Sequence, residues 1–136
     1  MAAATTPRNT PTIARPDRAA RAMASNARVI QGTIVALNAA GLAVPAITAL
    51  NLVADGMASE TTDNTGGADG ALKVEVRKGT FRFASAGGAD LIGRTEIGKT
   101  VFLVDNQTLA KTDGGGTRSP AGKVFDVDAN GVWITF

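Results

Sequence analysis

The clearest pattern of apolar and polar positions lies between residues 71 and 83. In residues 71–77 (ALKVEVR), the apolar residues at 72, 74 and 76 alternate with charged ones, which is typical of a half-buried strand. Phe81 and Phe83 continue the alternation with the opposite parity. The pattern therefore predicts a one-residue register change at Gly79, through a bulge or a tight turn.

Other short apolar runs, separated by turn signals, predict further strands. Pro45 places its segment at a sheet edge or interrupts it there, and a single helical turn is expected near residues 94–97. The runs are VIQGTIVALN (29–38), TVFLVD (100–105), a weak strand over 108–112, and the pair GKVFDVD and GVWITF (122–128 and 131–136), joined around residues 129–131. Strand spacings of roughly 8–12 residues without helical patterns predict an all-β fold, a small single-domain β-barrel or β-sandwich.

The first 28 residues differ from this β-rich body, which spans residues 29–136. They hold five arginines against Asp17 alone, a net charge of +4, whereas the body carries −2. Prolines at 7, 11 and 16 favour an extended chain, and residues 17–27 are compatible with a short helix capped by Asp17. We therefore expect a basic N-terminal arm over residues 1–28, extended or with a short helix at 17–27.

The composition narrows the available chemistry. The chain has no histidine and no cysteine, which removes the usual general base near neutral pH, disulfides and thiolate ligands. No apolar stretch approaches the ~20 residues of a membrane span, and the start has no apolar signal-peptide core. The expectation is a soluble protein that is not secreted through a signal peptide.

Two glycine-rich loops raise the question of phosphate binding. GGADG (66–70) and GGG (114–116) match neither the P-loop nor the dinucleotide-binding pattern, and neither opens a helix. We predict that both are flexible hairpin connections. The acidic residues fall at predicted turns, where Asp binds local backbone, and Ser119 and Lys111 have no partner pattern for a nucleophile. The sequence predicts no catalytic residues, no cofactor and no small-molecule substrate.

Residues 126–131, DVDANG, match the first half of an EF-hand calcium loop. Asp126, Asp128 and Asn130 are therefore candidate metal ligands. A calcium loop would end with a bidentate Glu at its twelfth position, which would be residue 137, and its flanks would be helices rather than strands. The preferred interpretation is a hairpin turn in which Asn130-Gly131 supplies positive φ.

The basic arm has three interpretations. It could bind nucleic acid through phosphate contacts, although it lacks aromatic residues for base stacking. It could lie across an acidic neighbouring protein and become ordered on contact, or it could be a solvated tail. The candidate partner-binding residues are Arg8, Arg15, Arg18, Arg21 and Arg28.

Blocks along almost the whole chain resemble one family, the structural cement proteins of tailed bacteriophages and prophages, also called head decoration or minor capsid proteins. The blocks occur in the family's order, and their order and spacing carry the resemblance, which is least clear over residues 12–27. They are RNTP (8–11), GTIVALNAAGLAVPA (32–46), TDNTGGADGALKVEVRKGTFRF (62–83), IGKTVFLVDNQTLAKTD (97–113) and AGKVFDVDANGVWITF (121–136).

The resemblance implies a non-enzymatic virion protein on the surface of the phage head, present in the host cytoplasm during assembly. Its partners would be the major capsid protein and itself, as a homotrimer, with no membrane and no nucleic acid. The N-terminal arm would reach neighbouring subunits, and Arg8, Arg15, Arg18 and Arg21 would pair with carboxylates of the shell. Strand faces bearing Val74, Val76, Phe102 and Trp133 would form the trimer, although a core position is the preferred interpretation of Trp133. The alternatives are a tail, fibre or head-closure component, or a nucleic-acid-binding protein acting through the arm.

Overall fold

A computed structural model describes residues 2–136, which form strands and two short 3₁₀ turns. This confirms the all-β prediction. In the first half the strands are β1 Arg18–Ala22, β2 Arg28–Val29, β3 Ile34–Leu37, β4 Ala43–Pro45, β5 Val53–Ala58, β6 Thr62–Asp63 and β7 Lys73–Arg77. In the second half they are β8 Thr80–Ser85, β9 Thr100–Leu103, β10 Thr108–Ala110, β11 Pro120–Asp128 and β12 Gly131–Thr135, with the 3₁₀ turns at Gly88–Asp90 and Arg94–Glu96. No helix in this described part is long and apolar enough to cross a membrane.

The second half of the chain closes into a five-stranded barrel of order β10-β8-β12-β11-β9. Its pairs are antiparallel except for β8 with β10. The hairpin of β11 and β12 has the predicted turn, with Asp128 opposite Gly131 and two residues between them. The helical turn predicted near residues 94–97 is the 3₁₀ turn at Arg94–Glu96.

The first half forms an antiparallel sheet of order β1-β7-β5-β3-β4, the first sheet. Pro45 ends β4 at the sheet edge, as predicted, where a missing backbone donor is tolerated. The opposite edge strand, β1, leads into a parallel bridge between Met23 and Ala43. The sheet therefore curls until its two edge strands meet at one point. A separate ladder of β2 with β6 lies beside it.

The predicted register change at Gly79 marks a passage between two sheets, because β7 belongs to the first sheet and β8 to the barrel. Val74 and Val76 point into the core of the first sheet, and Phe83 points into the core of the barrel. The parity changes because the chain enters a different sheet, so no bulge is needed. Leu72 was expected on the buried face, but it precedes β7 and is exposed.

Strand β3 connects two hydrophobic cores. Its residues Ile34, Val35 and Ala36 are all fully buried. Ile34 and Ala36 pack into the barrel core with Leu103, Leu109 and other side chains. Val35 packs into the core of the first sheet, which we call the first core. Since neighbouring residues of a strand point to opposite faces, this one strand supplies both cores.

The helix considered for residues 17–27 is wrong. Residues 18–22 form β1, which pairs with β7 from Arg18 opposite Arg77 to Ala22 opposite Lys73. Met23 then buries its side chain completely. A strand forms because β7 offers a row of backbone partners and the first core accepts Met23, contacts that local propensity does not register. Residues 2–17 have exposed side chains and no strand or helix; we call them the exposed N-terminal segment.

Candidate functional site

The five arginines predicted to bind a partner fall into two groups. Arg18 donates to Glu75 Oε1 at 3.1 Å, Arg28 lies 3.7 Å from Asp63, and Arg21 binds Asp55. Arg8 and Arg15 lie in the exposed N-terminal segment and belong to no ion pair among the described residues. For all five, partner binding stays a prediction; Arg18, Arg21 and Arg28 also contact carboxylates of their own chain.

The Arg21 contact is part of a buried cluster with Asp55 and Lys78. Asp55 is only 2% exposed; its Oδ2 accepts from Arg21 Nε at 2.7 Å and its Oδ1 from Arg21 Nη2 at 2.9 Å. Lys78 Nζ donates to Asp55 Oδ1 at 2.6 Å and also to the Asp55 carbonyl. Burial alone would raise the pKa of Asp55, but the hydrogen bonds from Arg21 and Lys78 outweigh it and lower the pKa. The cluster ties β1 to β5 and to the passage into the barrel.

The glycine loop at 66–70 binds residues 23–27 of the same chain. Gly67 O accepts from Asn26 N and Ser25 Oγ, at 3.1 and 2.9 Å, and Asp69 Oδ1 accepts from Ser25 N at 2.6 Å. Beneath the loop, buried Asn64 donates from Nδ2 to Ala24 O at 2.9 Å. These hydrogen bonds hold the segment after β1 in place. A flexible connection would not make them.

The hairpin prediction is wrong for both glycine loops. The 66–70 loop joins β6 to β7, and these strands pair with other partners. The 114–116 loop joins β10 to β11, which are separated in the barrel by β9. Below it, Asp90 accepts from Thr112 Oγ1 at 2.5 Å and from Arg118 Nη1 at 3.2 Å. These hydrogen bonds lower the pKa of Asp90, and the one from Thr112 has the largest effect.

Three of the six acidic residues at predicted turns bind nearby backbone, as predicted; the other three, Asp69, Asp90 and Glu96, contact more distant residues or side chains. Asp63, Asp105 and Asp113 each accept from the backbone N–H two residues later, the local turn bond that Asp favours. Glu96 is buried beside Lys111, 3.3 Å away, and the hydrogen bond from Thr95 lowers its pKa. Ser119 is also buried and bridges a loop, donating to Ala49 O at 2.7 Å and accepting from Leu52 N at 3.0 Å.

The DVDANG segment forms the tip of the β11–β12 hairpin. Asp128 accepts from Asn130 N through Oδ1 and from Trp133 Nε1 through Oδ2, both at 2.8 Å. Trp133 thereby lowers the pKa of Asp128 more than any other neighbour. Asp126 accepts from Val127 N. Residues 2–136 contain no group of three or more acidic side chains placed to hold a metal ion. Positive φ is supplied by Gly131 alone, at 152°.

The surface proposed for trimer formation needs correction. Val74 and Val76 are fully buried in the first core, so they have no face to offer a second copy. Phe102 is half-buried. Trp133 was preferred as a core residue, but it lies on the outer side of the barrel, half-buried, with the Arg82 guanidinium 5.7 Å from its ring centroid.

Two surfaces of the body expose large apolar side chains. One is a shallow depression of about 360 Å³ on the outer face of the barrel, which we call the aromatic depression. It is lined by Thr80, Phe125, Asp126 and Trp133. The other is the loop before and into β5, which exposes Ile47, Leu50 and Val53. Exposed apolar side chains grouped in this way are typical of interaction sites.

The sequence contains a signal for the aromatic depression. In KVFDV (123–127), Val124 faces the barrel core, so alternation alone directs Phe125 outward. Pairing with β12 shifts between Val124 and Asp126, so Phe125 is the extra residue of a bulge. A Phe that points outward from a strand whose inner face is buried is a surface residue.

The fold defines a small all-β protein. Comparisons of the chain with models of protein families, with curated proteins and with solved structures found no match.

Proposed function

We propose that this chain is a capsid decoration protein that binds the major capsid protein lattice of a tailed phage head and stabilises it. The observation that carries the proposal is the ordered series of sequence blocks that resemble the cement family, from residue 8 to residue 136. The blocks run through both halves of the β body, so the resemblance does not depend on one loop.

Three features of the molecule are compatible with this role. The exposed N-terminal segment carries Arg8 and Arg15, which suit an acidic protein surface. The two apolar surfaces of the body suit protein contacts. A chain with several separate contact surfaces also suits a lattice, where simultaneous contacts raise the effective concentration of each one. The protein would act on the head surface of the virion after assembly in the host cytoplasm, without catalysis, cofactor or membrane contact.

The alternatives are weighed by the same features. A tail, fibre or head-closure component would use the same kind of β body. Binding of nucleic acid is less well supported, because Arg18, Arg21 and Arg28 already hold carboxylates. That leaves Arg8 and Arg15 in the exposed N-terminal segment, few contacts for phosphate-driven affinity.

The proposal is tested on heads of the source phage or prophage produced without this protein. We expect the purified chain to bind these heads saturably, and electron microscopy to show added density on the capsid surface. Density at the neck or tail alone would instead support the tail or head-closure alternative. Absence of binding at saturating concentration would overturn the proposal.

Two variants separate the contribution of the exposed N-terminal segment. Deletion of residues 2–16 should weaken head binding by roughly 10-fold or more if the segment is one of several linked contacts. The matched variant Arg8→Ser with Arg15→Ser keeps the length and tests the charge alone. Binding of the intact chain to bare mixed-sequence DNA, with steep salt dependence, would favour the nucleic-acid alternative.

A further inference from the structure

The aromatic depression has the properties of a preformed binding site. Phe125 is 67% exposed, because the bulge in β11 directs both Phe125 and Asp126 outward. Trp133 is fixed on two sides: Asp128 accepts its Nε1 hydrogen, and Arg82 lies over its ring. A ring that is already fixed loses little freedom when a partner binds.

The chain itself contains a segment with the matching chemistry. Residues 7–16, PRNTPTIARP, hold three prolines and one large apolar side chain, Ile13, which is 75% exposed. Proline-rich extended peptides bind grooves lined by aromatic rings, because proline fixes the extended conformation beforehand. Arg8 and Arg15 add positive charge to the segment, and the depression offers the Asp126 carboxylate.

The segment and the depression of one chain are not in contact. Ile13 and Phe125 both remain exposed, although the segment ends close by, where Lys78 N donates to Asp17 O at 2.7 Å. A turn closed by Arg18 N and Arg15 O, 3.3 Å apart, precedes β1 and sets the direction of the chain. In this arrangement the segment and the depression are both accessible to a second copy.

We propose that residues 7–16 of one copy bind the aromatic depression of a second copy, with Ile13 and the prolines against Phe125 and Trp133. Each chain then both gives a segment and accepts one. Such a head-to-tail contact builds a ring when the rotation closes and a chain of copies when it does not. The inference does not depend on the capsid proposal, since it concerns copies of this chain alone.

The intrinsic fluorescence of the intact protein tests where the segment binds. Trp133 is the single tryptophan and the chain has no tyrosine, so the emission reports on the depression directly. We expect the emission to shift to shorter wavelength as the protein concentration rises. Emission that does not change with concentration would overturn the proposal, including the case in which each segment folds onto its own depression.

Paired variants test the two halves of the contact. Ile13→Ser and Phe125→Ser each change an exposed side chain, and each should weaken self-association by roughly 10-fold or more, measured by sedimentation velocity. The matched control is Leu91→Ser, an exposed apolar residue that belongs to neither of the two apolar surfaces, which should associate like the unchanged protein. Circular dichroism verifies that all three variants fold.

Mixing the two variants gives the sharpest outcome. Phe125→Ser keeps an intact segment and Ile13→Ser keeps an intact depression, so an equimolar mixture should form dimers and nothing larger. Failure of the mixture to form dimers would overturn the proposal. So would self-association of either variant at the strength of the unchanged protein, or an unchanged protein that stays monomeric at high concentration.

Discussion

The first sheet and the barrel bury their interiors by different means. The barrel is closed by backbone pairing all round and is filled with large side chains, among them Phe83, Leu103, Leu109 and Ile134. The first core has Met23 as its single large buried side chain, with valines and alanines around it. The first sheet is therefore held at its ends by polar contacts: the Arg21–Asp55–Lys78 cluster and the glycine loop over residues 23–27.

This difference shows two ways of completing a small β structure. Where the strands close on themselves, the core can be purely apolar. The edge strands of the first sheet meet at one point only, between Met23 and Ala43, and there the buried Asp55 and Asn64 tie β1 and the segment after it to the sheet. The buried polar residues of the barrel half, Glu96 and Ser119, contact turns and loops outside its apolar core. Buried polar contacts stabilise a fold only when every partner is in place. The free energy of unfolding should therefore be more sensitive to single substitutions in the first half, whose apolar core holds smaller side chains.

Removing the largest side chain of each core should give the largest effects. Met23→Ala and Leu103→Ala should each lower the free energy of unfolding by about 2–5 kcal/mol. Met23→Ala should cost more, because the largest buried side chain left in the first core would be valine. Chemical denaturation of both variants measures this; an equal or smaller cost for Met23→Ala would contradict the comparison.

The same experiment tests whether the halves unfold together. Strand β3 places Ile34 in one core and Val35 in the other, so we expect a single transition in both variants. Trp133 fluorescence follows the barrel and far-ultraviolet circular dichroism follows both halves. Two separated midpoints would show that the shared strand does not couple them.

Breaking the buried ion cluster should have the next largest effect. Asp55→Asn should lower the free energy of unfolding by about 2–3 kcal/mol, less than the ~3–5 kcal/mol of a fully buried pair, because Arg21 and Lys78 are each about a third exposed. Replacing Lys78 with Met leaves the Arg21 pair in place and should cost less.

The destabilisation caused by Asp55→Asn should depend on pH, because the pKa of Asp55 is lowered in the folded protein. The folded pKa of Asp55 lies below the ordinary aspartate value of 3.8, so the stabilisation is fully present above about that pH and is lost as the pH falls through the folded pKa. The stability difference between the protein and Asp55→Asn should be constant near neutrality and shrink below pH 3.8. A difference that persists unchanged in acid would argue against the ion cluster as its source.

Disturbing the glycine loop should give a smaller loss. A Cβ on Gly67 would lie 2.0 Å from Asn64 Oδ1, so Gly67→Ala must displace Asn64 from Ala24 O and Ala68 O. We expect a loss of about 1–3 kcal/mol in thermal or chemical unfolding. Gly87→Ala is the matched control, since no atom lies within 4 Å of its Cβ and its φ of −98° suits alanine. A similar loss in both variants would contradict the role of the loop.

The smallest effect is expected on the outer face of the barrel. Phe125→Ser changes an exposed side chain that packs against no core, and it should alter the free energy of unfolding by no more than about 0.5 kcal/mol. A large loss would show that Phe125 supports the barrel, and would remove it as a surface residue.

Much of the fold could be predicted from short-range pattern. The alternation in residues 71–77 gave β7, the final pair of apolar runs gave the β11–β12 hairpin, and Pro45 gave an edge. The division into two sheets could not be predicted, because partner strands such as β1 and β7 are far apart in sequence. For the same reason residues 17–27 looked compatible with a helix.

The candidate surfaces and the buried polar contacts were harder to predict from the sequence than the strands. Asp55, Asn64 and Gly67 carry no signal of their own, since their importance comes from partners that only the folded chain brings close. The positive charge of the N-terminal arm was real, but counting arginines could not tell that Arg21 faces Asp55. Phe125 was readable from its parity, and Trp133 was not, because an indole on a strand suits core and surface equally.

The meeting of Met23 with Ala43 also bears on how the protein behaves when crowded. Long free strand edges act as templates for pairing with other chains. In residues 2–136 the barrel has no such edge, and the first sheet brings its two edge strands together, one of them ending in Pro45. Many copies could therefore lie side by side at high local concentration without their backbones recruiting one another into aggregates.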